Sequence, residues 1–468
     1  MVGKFGAQTI SLLLSFVLTR LLSPEEFGVA GIAMVMIFVS SIFLDMGFAK
    51  ALIQAKTTSR PEYASVFSLN LILGIFFTCL CFFLATPIAF FYNLPELEPV
   101  MRVLSFLFLV NAVSLVPVAI LTREMKFKKL ALAGLISAVI SGTISIIMAL
   151  KGYGVWSLVT QYMVSTTLAA ILTFCFTKWK PVLLLSKKTL QPLWHYGSRM
   201  FYSSIFNIIV TRLDVFIIGR LFNANLLGHY TRSQSIDSAI RQFSTGSLIS
   251  VFFPAVARLQ DEKKKLAELY IRFLHIVAFF SAGISGLLYL ISPDVFRIIF
   301  TAKWDTAAIY FQIMCVAGFA WPVSALMVTL ISGTGNSKAY FRLELIKVAI
   351  QLPVYLFGFL AGITTFLWIF AGIRVISLCL NAYFASREVT VYTSRQLGIT
   401  FVYLLFGAAA TAGSIFIADL YSAFSAFGRI ICSILVYTLL YLGLHLIFDT
   451  KMKTEMFLLL QKLVKKKN

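Results

Sequence analysis

Charged side chains are scarce in this sequence of 468 residues, since only 13% are Asp, Glu, Lys or Arg. A typical soluble domain has about 25%. Hydrophobic residues make up 59% of the chain, and they come in repeated blocks of roughly 20, the length that a helix needs to cross about 30 Å of hydrocarbon. Backbone polar groups find no water there, so helices are expected. The composition excludes a soluble domain and predicts an all-α polytopic membrane protein.

Several kinds of functional motif are also missing. The chain has no GxxxxGK[ST] loop, which excludes a P-loop nucleotide site. The cysteines lie inside apolar blocks without CxxC spacing or accompanying histidines, so we interpret them as reduced, small hydrophobic residues. They are Cys79, Cys81, Cys175, Cys315, Cys379 and Cys432. We predict no catalytic residues, no metal site and no cofactor.

Apolar runs and the breakers between them predict about 14 transmembrane helices. The first six lie near 4 to 20, 27 to 49, 65 to 91, 101 to 121, 130 to 150 and 155 to 177. The next six lie near 195 to 219, 228 to 257, 269 to 291, 306 to 331, 340 to 361 and 365 to 386, and the last two near 398 to 420 and 427 to 449. No small-residue cleavage site follows the first helix, so we predict that it belongs to the fold and is not a signal peptide.

A weak internal repeat organises these helices. Thr19–Gly28 and Gly219–Gly228 match at an offset of 200, with Arg, Leu and Gly in the same places. Two proline pairs keep nearly the same register: Pro87 with Pro293 and Pro117 with Pro322. Each half would contain six helices, an even number, so both halves would begin on the same side of the membrane. The pattern therefore predicts two six-helix lobes that are parallel repeats about an axis along the membrane normal. We expect lobes at 1–192 and 193–390, followed by two extra transmembrane helices and a basic tail at 391–468.

The distribution of Lys and Arg predicts the orientation. About two thirds of the 40 basic residues lie in alternate connections, which are cytoplasmic if the N-terminus is inside. The outer connections hold only Arg20, Arg102, Lys151, Arg220, Arg297, Lys303 and Arg429. Both termini are therefore predicted to be cytoplasmic. This bias accounts for the net charge of +21 without nucleic acid as a partner.

Eleven charged residues remain within the predicted membrane segments. They are Arg199, Arg212, Arg232, Arg241, Arg272, Lys347 and Arg374, with Asp45, Asp214, Asp237 and Glu344. A charge at the centre of a membrane helix costs roughly 2.5 to 3.5 kcal/mol, so such residues normally face a wet cavity, a partner or a substrate. The surplus of basic residues predicts a cationic cavity that binds phosphate, because the planar guanidinium group can hold phosphate oxygens in pairs.

Helical spacing groups some of these residues on common faces. Arg199, Ser203, Asn207 and Asp214 share a face of the seventh helix, and Gln234, Asp237, Arg241 and Thr245 share a face of the eighth. Several roles stay open. Asp237 and Arg241 either contact a ligand or neutralise one another. For Arg212 a structural or headgroup contact is favoured, and Arg272 is expected to reach the membrane interface. Arg199 and Arg374 are the better candidates for substrate contact. Asp45 either carries coupling protons or caps a broken helix.

Four segments carry a resemblance to a known family. They are Arg20–Gly28, Leu44–Phe48, Leu121–Leu130 and Arg212–Gly219. Their order and spacing resemble the Wzx-like polysaccharide flippases of the multidrug/oligosaccharidyl-lipid/polysaccharide exporter superfamily, in particular its colanic-acid and teichuronic-acid exporter branch. Members of this family often carry more cytoplasmic residues before the first helix than this chain does.

The resemblance implies two six-helix lobes around a central cavity and alternating access. The substrate implied is an undecaprenyl-pyrophosphate-linked oligosaccharide, moved to the periplasmic leaflet for export of cell-surface polysaccharide such as lipopolysaccharide.

We expect Arg199, Arg241 and Arg374 to hold the phosphates, and Asn207 and Gln234 to contact sugars. Coupling or structural roles are expected for Asp45, Asp214, Asp237 and Lys347. Membrane lipid and a polysaccharide polymerase with other export components are the expected partners.

Two other functions stay open. A drug or cation antiporter of the same superfamily would favour acidic and aromatic cavity groups, whereas basic residues outnumber acidic ones here. A membrane glycosyltransferase or polymerase would need a sizeable extramembrane loop or paired carboxylates, and the longest internal connection, about 178 to 194, is short and basic. A flippase that is not an enzyme is the favoured interpretation.

Overall fold

The computed structural model describes residues 2–54, 58–177, 179–260 and 262–448. These residues form helices joined by short connections, with no strand among them. The helices are α1 (Val2–Leu21), α2 (Pro24–Asp45), α3 (Phe48–Gln54), α4 (Arg60–Tyr92), α5 (Leu97–Arg123), α6 (Phe127–Leu150), α7 (Val155–Thr177), α8 (Lys187–Leu221), α9 (Ala224–Arg258), α10 (Lys263–Phe300), α11 (Asp305–Val316), α12 (Ala320–Gly333), α13 (Ser337–Phe357), α14 (Ile363–Glu388), α15 (Thr393–Ile417) and α16 (Ala426–Phe448). The all-helical class predicted from composition is confirmed.

Eight of the described helices are long and apolar enough to cross a membrane: α4, α5, α6, α7, α10, α14, α15 and α16. A ninth span results if α11 and α12 are taken together, with a bend of 43° between them. The chain is therefore a multi-pass membrane protein. The predicted total of about 14 spans stays a prediction, because helices such as α9 carry several charged side chains and are not recognised by apolarity alone.

Two predicted helices are each divided in the structure. The predicted helix at 306–331 is α11 and α12, with the break at residues 317–319. The predicted helix at 27–49 ends at Asp45, and α3 begins at Phe48. Met46 and Gly47 between them have positive φ angles of 44° and 79°. A Cβ atom at Gly47 would lie 2.2 Å from the carbonyl oxygen of Gly197, so glycine permits both the turn and the close approach of α8.

The chain divides into two compact units between Thr231 and Arg232. In the first unit, α5 packs against α4 and α7, and α1 packs against α6. In the second unit, α10 packs against α11, α12, α15 and α16. Two tyrosines on α16 donate hydrogen bonds to carbonyl oxygens of α10, Tyr437 to Gly283 at 2.9 Å and Tyr441 to Phe279 at 2.7 Å. The predicted lobe boundaries at 192 and 390 stay predictions.

The repeated segments begin their helices in the same way. The amide of Glu26 donates to the Ser23 hydroxyl, and Glu26 accepts from the Ser23 amide, which together form a capping box at the start of α2. At the start of α9, Asn223 accepts a hydrogen bond from the amide of Leu226 at 2.9 Å. Ser23 and Asn223 are 200 positions apart, so the repeat places a capping side chain at the same point of both helices.

The same two segments also contact one another within the first unit. A Cβ atom at Gly28 would lie 1.9 Å from the carbonyl oxygen of Ala224, and one at Gly228 would lie 1.7 Å from that of Pro24. Only glycine lets the backbones of α2 and α9 approach this closely. Gly28 and Gly228 are 200 positions apart, and so are Pro24 and Ala224. The two contacts are therefore reciprocal, as contacts between matching surfaces are about a two-fold axis.

Candidate functional site

Three charged side chains meet between α9 and α14. Arg241 Nη1 lies 2.5 Å from Asp237 Oδ2, and Arg374 Nη2 lies 3.6 Å from the same oxygen. The side chain of Asp237 is 8% exposed, and those of Arg241 and Arg374 are 18% and 17% exposed. The i,i+4 spacing on α9 brings Asp237 and Arg241 together, and the packing of the unit supplies Arg374. One carboxylate thus faces two guanidinium groups.

An aromatic ring also contacts each of the two guanidinium groups. Arg241 lies over the ring of Trp321, with its Cζ 4.9 Å from the ring centre, and Arg374 lies over Phe370 at 5.0 Å. Contacts of this kind contribute about 0.5 to 2 kcal/mol and are strongest where water is excluded. The rings therefore orient the two cations without neutralising them.

A cavity of about 640 Å³ adjoins the cluster. Asp237 and Arg241 form its charged end, and the remaining wall is mostly apolar. That wall includes Phe280, Ile284 and Leu288 of α10, Phe311 and Cys315 of α11, and Gly318 and Pro322 at the bend into α12. Cavities of this size and lining bind small molecules. This cavity suits a ligand with an anionic group at one end and an apolar part.

The buried carboxylate of Asp237 is balanced by ion pairs. Asp237 Oδ2 is buried and makes no hydrogen bond of good geometry, so its contacts with the two arginines are ion pairs alone. A buried charge without a counter-charge is costly. The guanidinium group of Arg241, which lines the cavity, matches phosphate oxygens in geometry, so an anion in the cavity can contact it.

The other predicted substrate contacts fall in different places. Gln234 is half-buried on α9, three residues before Asp237, and so lies near the same helix face. The side chains of Arg199 and Asn207 on α8, and that of Arg212, lie outside the part of the structure that is described. The structure therefore brings together Asp237, Arg241 and Arg374 and leaves the predicted face of the seventh helix as a prediction.

Of the predicted coupling residues, Asp237 belongs to the cluster, and the other three make contacts of their own. Asp214 is buried and accepts a hydrogen bond from the Tyr230 hydroxyl at 2.5 Å and from the Val215 amide at 2.8 Å. Asp45 accepts from the amide of Ala49 at 2.9 Å, and so stabilises the first turn of α3. Lys347 pairs with Glu344 three residues earlier on α13. The contact of Asp45 corresponds to the capping role considered above.

Three further residues contribute to the site or lie near it in the chain. Trp321 and Phe370 are the ring partners of the arginines, and Arg232, buried on α9, lies over Phe300 at 4.8 Å. The i,i+4 spacing of Phe370 and Arg374 is a signal that the sequence contains. Trp321 lies on another helix from Arg241, so no local pattern indicates that contact.

Within the described ranges, no group of three His, Cys, Asp or Glu side chains is placed to hold a metal ion.

Comparison with known proteins relates the chain to polysaccharide transport. The family model described as "Polysaccharide biosynthesis protein" matches residues 17–309. The lipopolysaccharide biosynthesis protein WzxC of Escherichia coli K12 is 24% identical over 385 residues, covering 81% of this chain and 78% of the relative. The succinoglycan biosynthesis transport protein ExoT of Rhizobium meliloti is 23% identical, covering 77% of this chain and 72% of the relative. The teichuronic acid biosynthesis protein TuaB of Bacillus subtilis is 21% identical, with coverages of 77% and 78%.

Two solved structures share the fold. The lipid II flippase MurJ in an inward closed conformation superposes with a TM-score of 0.71 at 14% identity, covering 95% of this chain and 98% of that one. An inward-facing multidrug resistance MATE family transporter of the MOP superfamily gives a TM-score of 0.58 at 14% identity, with coverages of 89% and 96%. The matches to polysaccharide biosynthesis proteins confirm the resemblance predicted from the four sequence segments.

Proposed function

Because the chain belongs to the polysaccharide biosynthesis protein family, we propose that it is a flippase that moves a polyprenyl-pyrophosphate-linked oligosaccharide from the cytoplasmic to the periplasmic leaflet of a bacterial inner membrane. Relatives named for lipopolysaccharide, succinoglycan and teichuronic acid biosynthesis support the class of cargo. Delivery of the glycan to a polymerase on the outer side would follow.

The observation that carries this proposal is the pair of guanidinium groups around the single carboxylate of Asp237, with Asp237 and Arg241 in the wall of a largely apolar cavity. Arg241 and Arg374 would each hold oxygens of the pyrophosphate. The incoming anion would take over the contacts that Asp237 makes with the two arginines. Half-buried Gln234 on the same helix would contact the first sugar.

The proposed transport cycle is alternating access. It uses about 14 transmembrane helices in lobes at 1–192 and 193–390, with two extra helices at 391–468 and both termini in the cytoplasm. The proposal is supported by the charge bias of the connections and by the reciprocal contact of Gly28 with Ala224 and of Gly228 with Pro24. Energy would come from the membrane potential or a proton gradient.

Transport in reconstituted vesicles tests the proposal. The protein is placed in vesicles with a labelled polyprenyl-pyrophosphate-linked oligosaccharide, and the fraction that reacts with a membrane-impermeant reagent is followed in time. A hydrogen bond to a charged group contributes about 1.5 to 3 kcal/mol, so we expect Arg241→Ala or Arg374→Ala to weaken substrate binding roughly ten- to a hundredfold.

Arg297→Ala is the matched control, because Arg297 pairs with Asp305 outside the cluster. It should transport at the rate of the unmodified protein. If the Arg241→Ala/Arg374→Ala double variant folds and also transports at that rate, the assignment of the cluster is wrong. Export of an organic cation in place of the labelled glycan would support the antiporter alternative.

A further inference from the structure

An exposed apolar segment joins α7 to α8. Residues 179–186 form no helix or strand, and four consecutive aliphatic side chains in the segment are exposed: Val182 by 58%, Leu183 by 73%, Leu184 by 41% and Leu185 by 57%. In water such a run would be an unfavourable contiguous apolar patch. This connection is not part of a transmembrane helix, so it needs an explanation of its own.

The segment is held in place by contacts with α4. The amide of Leu184 donates to the Ser68 hydroxyl of α4 at 2.9 Å, and the hydroxyl of Thr189 donates to that of Ser65 at 2.8 Å. Trp179 packs edge-on against Phe67, with ring centres 5.3 Å apart. The apolar side chains therefore point outward from a backbone that is anchored on both sides.

The backbone of the segment limits how deep it can lie in a membrane. Among the described residues, no partner is found for the amides of Val182, Leu183 and Leu185, and Pro181 has no amide hydrogen. Such groups are not tolerated in the hydrocarbon, where an unpaired amide costs several kcal/mol. The aliphatic side chains favour lipid and the backbone requires water or headgroups, and both conditions hold at the membrane boundary.

The flanking residues indicate which lipids are bound. Lys180 precedes the apolar run, Lys187 and Lys188 follow it, and all three are exposed. Trp179 has the amphipathic ring that favours the interface. Each lysine near an anionic membrane surface contributes about 1 kcal/mol.

We propose that residues 179–188 are an interfacial anchor, in which Val182–Leu185 insert among the acyl chains at the membrane boundary and the three lysines bind anionic phospholipid headgroups. The anchor ties the start of α8 to the membrane surface. It follows from exposure, unpaired amides and charge, and it does not depend on what the protein transports.

Depth measurement by spin labelling tests the apolar part. Leu183→Cys is labelled in a variant whose six native cysteines are replaced, and the protein is placed in vesicles of equal parts phosphatidylglycerol and phosphatidylcholine. Labels at Lys264→Cys and Phe76→Cys serve as references for water and for hydrocarbon, since Lys264 is exposed at the start of α10 and Phe76 is exposed in the middle of α4.

We expect the label at position 183 to be reached by oxygen and shielded from a nickel chelate, at a depth between the two references. Equal accessibility to that of the label at position 264 would place the segment in water. Equal depth to that of the label at position 76 would place it in the hydrocarbon. A label that neither reagent reaches would show that another protein surface covers it. Each of these three results overturns the proposal.

Lipid selectivity tests the charged part. Energy transfer is measured from a donor at Leu183→Cys to acceptor-labelled phosphatidylglycerol or phosphatidylcholine. We expect transfer to favour phosphatidylglycerol, and we expect this preference to be lost in Lys180→Gln/Lys187→Gln/Lys188→Gln. The matched control replaces three consecutive exposed lysines elsewhere, Lys263, Lys264 and Lys265, with Gln and should keep the preference. A preference that is absent from the unmodified segment, or unchanged in the first triple variant, contradicts the lipid assignment.

Discussion

Replacing Asp237 with asparagine should make the cluster bind pyrophosphate more tightly. The amide keeps the shape of the side chain and removes its negative charge, so Arg241 and Arg374 lose their shared counter-ion. In the proposed binding mode, the carboxylate of the unmodified protein competes with an anion that enters the cavity. In Asp237→Asn that competition is absent, while the rings of Trp321 and Phe370 still orient the two guanidinium groups.

The size of the effect follows from the geometry. At the 3.6 Å that separates Arg374 Nη2 from Asp237 Oδ2, the gross attraction is about 5 kcal/mol at an effective dielectric constant of about 20. Desolvation of the charges cancels much of this attraction. If about 1.4 kcal/mol of the competition is relieved, the affinity for pyrophosphate rises about tenfold. Loss of the two ion pairs should also lower the melting temperature, because breaking a buried ion pair by removing one partner is destabilising.

Calorimetric titration with inorganic pyrophosphate at fixed ionic strength measures the affinity. Asp305→Asn is the matched control, since it removes the same charge from the exposed pair with Arg297 and should leave pyrophosphate binding unchanged. Transport by Asp237→Asn should be slower than in the unmodified protein, because a tightly held substrate is released slowly. If folded Asp237→Asn binds pyrophosphate with unchanged or weaker affinity, Asp237 does not compete for the arginines and the reasoning is wrong.

Three further predictions concern stability, each measured by thermal unfolding in detergent. Gly28→Ala and Gly228→Ala should each lower the melting temperature, because a Cβ atom there meets a backbone oxygen, whereas Gly134→Ala, where a Cβ atom meets nothing within 4 Å, should not. Ser23→Ala removes the cap of α2 and should cost about 1 kcal/mol; an unchanged melting temperature would contradict the role of the capping box. Tyr437→Phe removes the hydrogen bond to the Gly283 carbonyl and should also cost about 1 kcal/mol, so a more stable variant would refute that bond.

Properties that depend on neighbouring residues could be predicted from the sequence. The membrane class follows from the scarcity of charge and the length of the apolar blocks, because each helix must satisfy its own backbone in lipid. The pairing of Asp237 with Arg241 follows from one turn of a helix. The offset-200 repeat predicted matching helix starts, and Ser23 and Asn223 cap α2 and α9 at matching positions.

The cluster itself depends on contacts that no local pattern encodes. No acidic residue lies at helical spacing from Arg374 on its own helix, and packing brings Asp237 to it from α9. The bend between α11 and α12 likewise places Trp321 against Arg241 and Gly318 in the cavity wall. The sequence by itself predicted charges within the membrane segments and an excess of basic ones among them. Only the tertiary structure decided that two guanidinium groups share one carboxylate beside a cavity, because residues far apart in the chain become neighbours only when their helices pack.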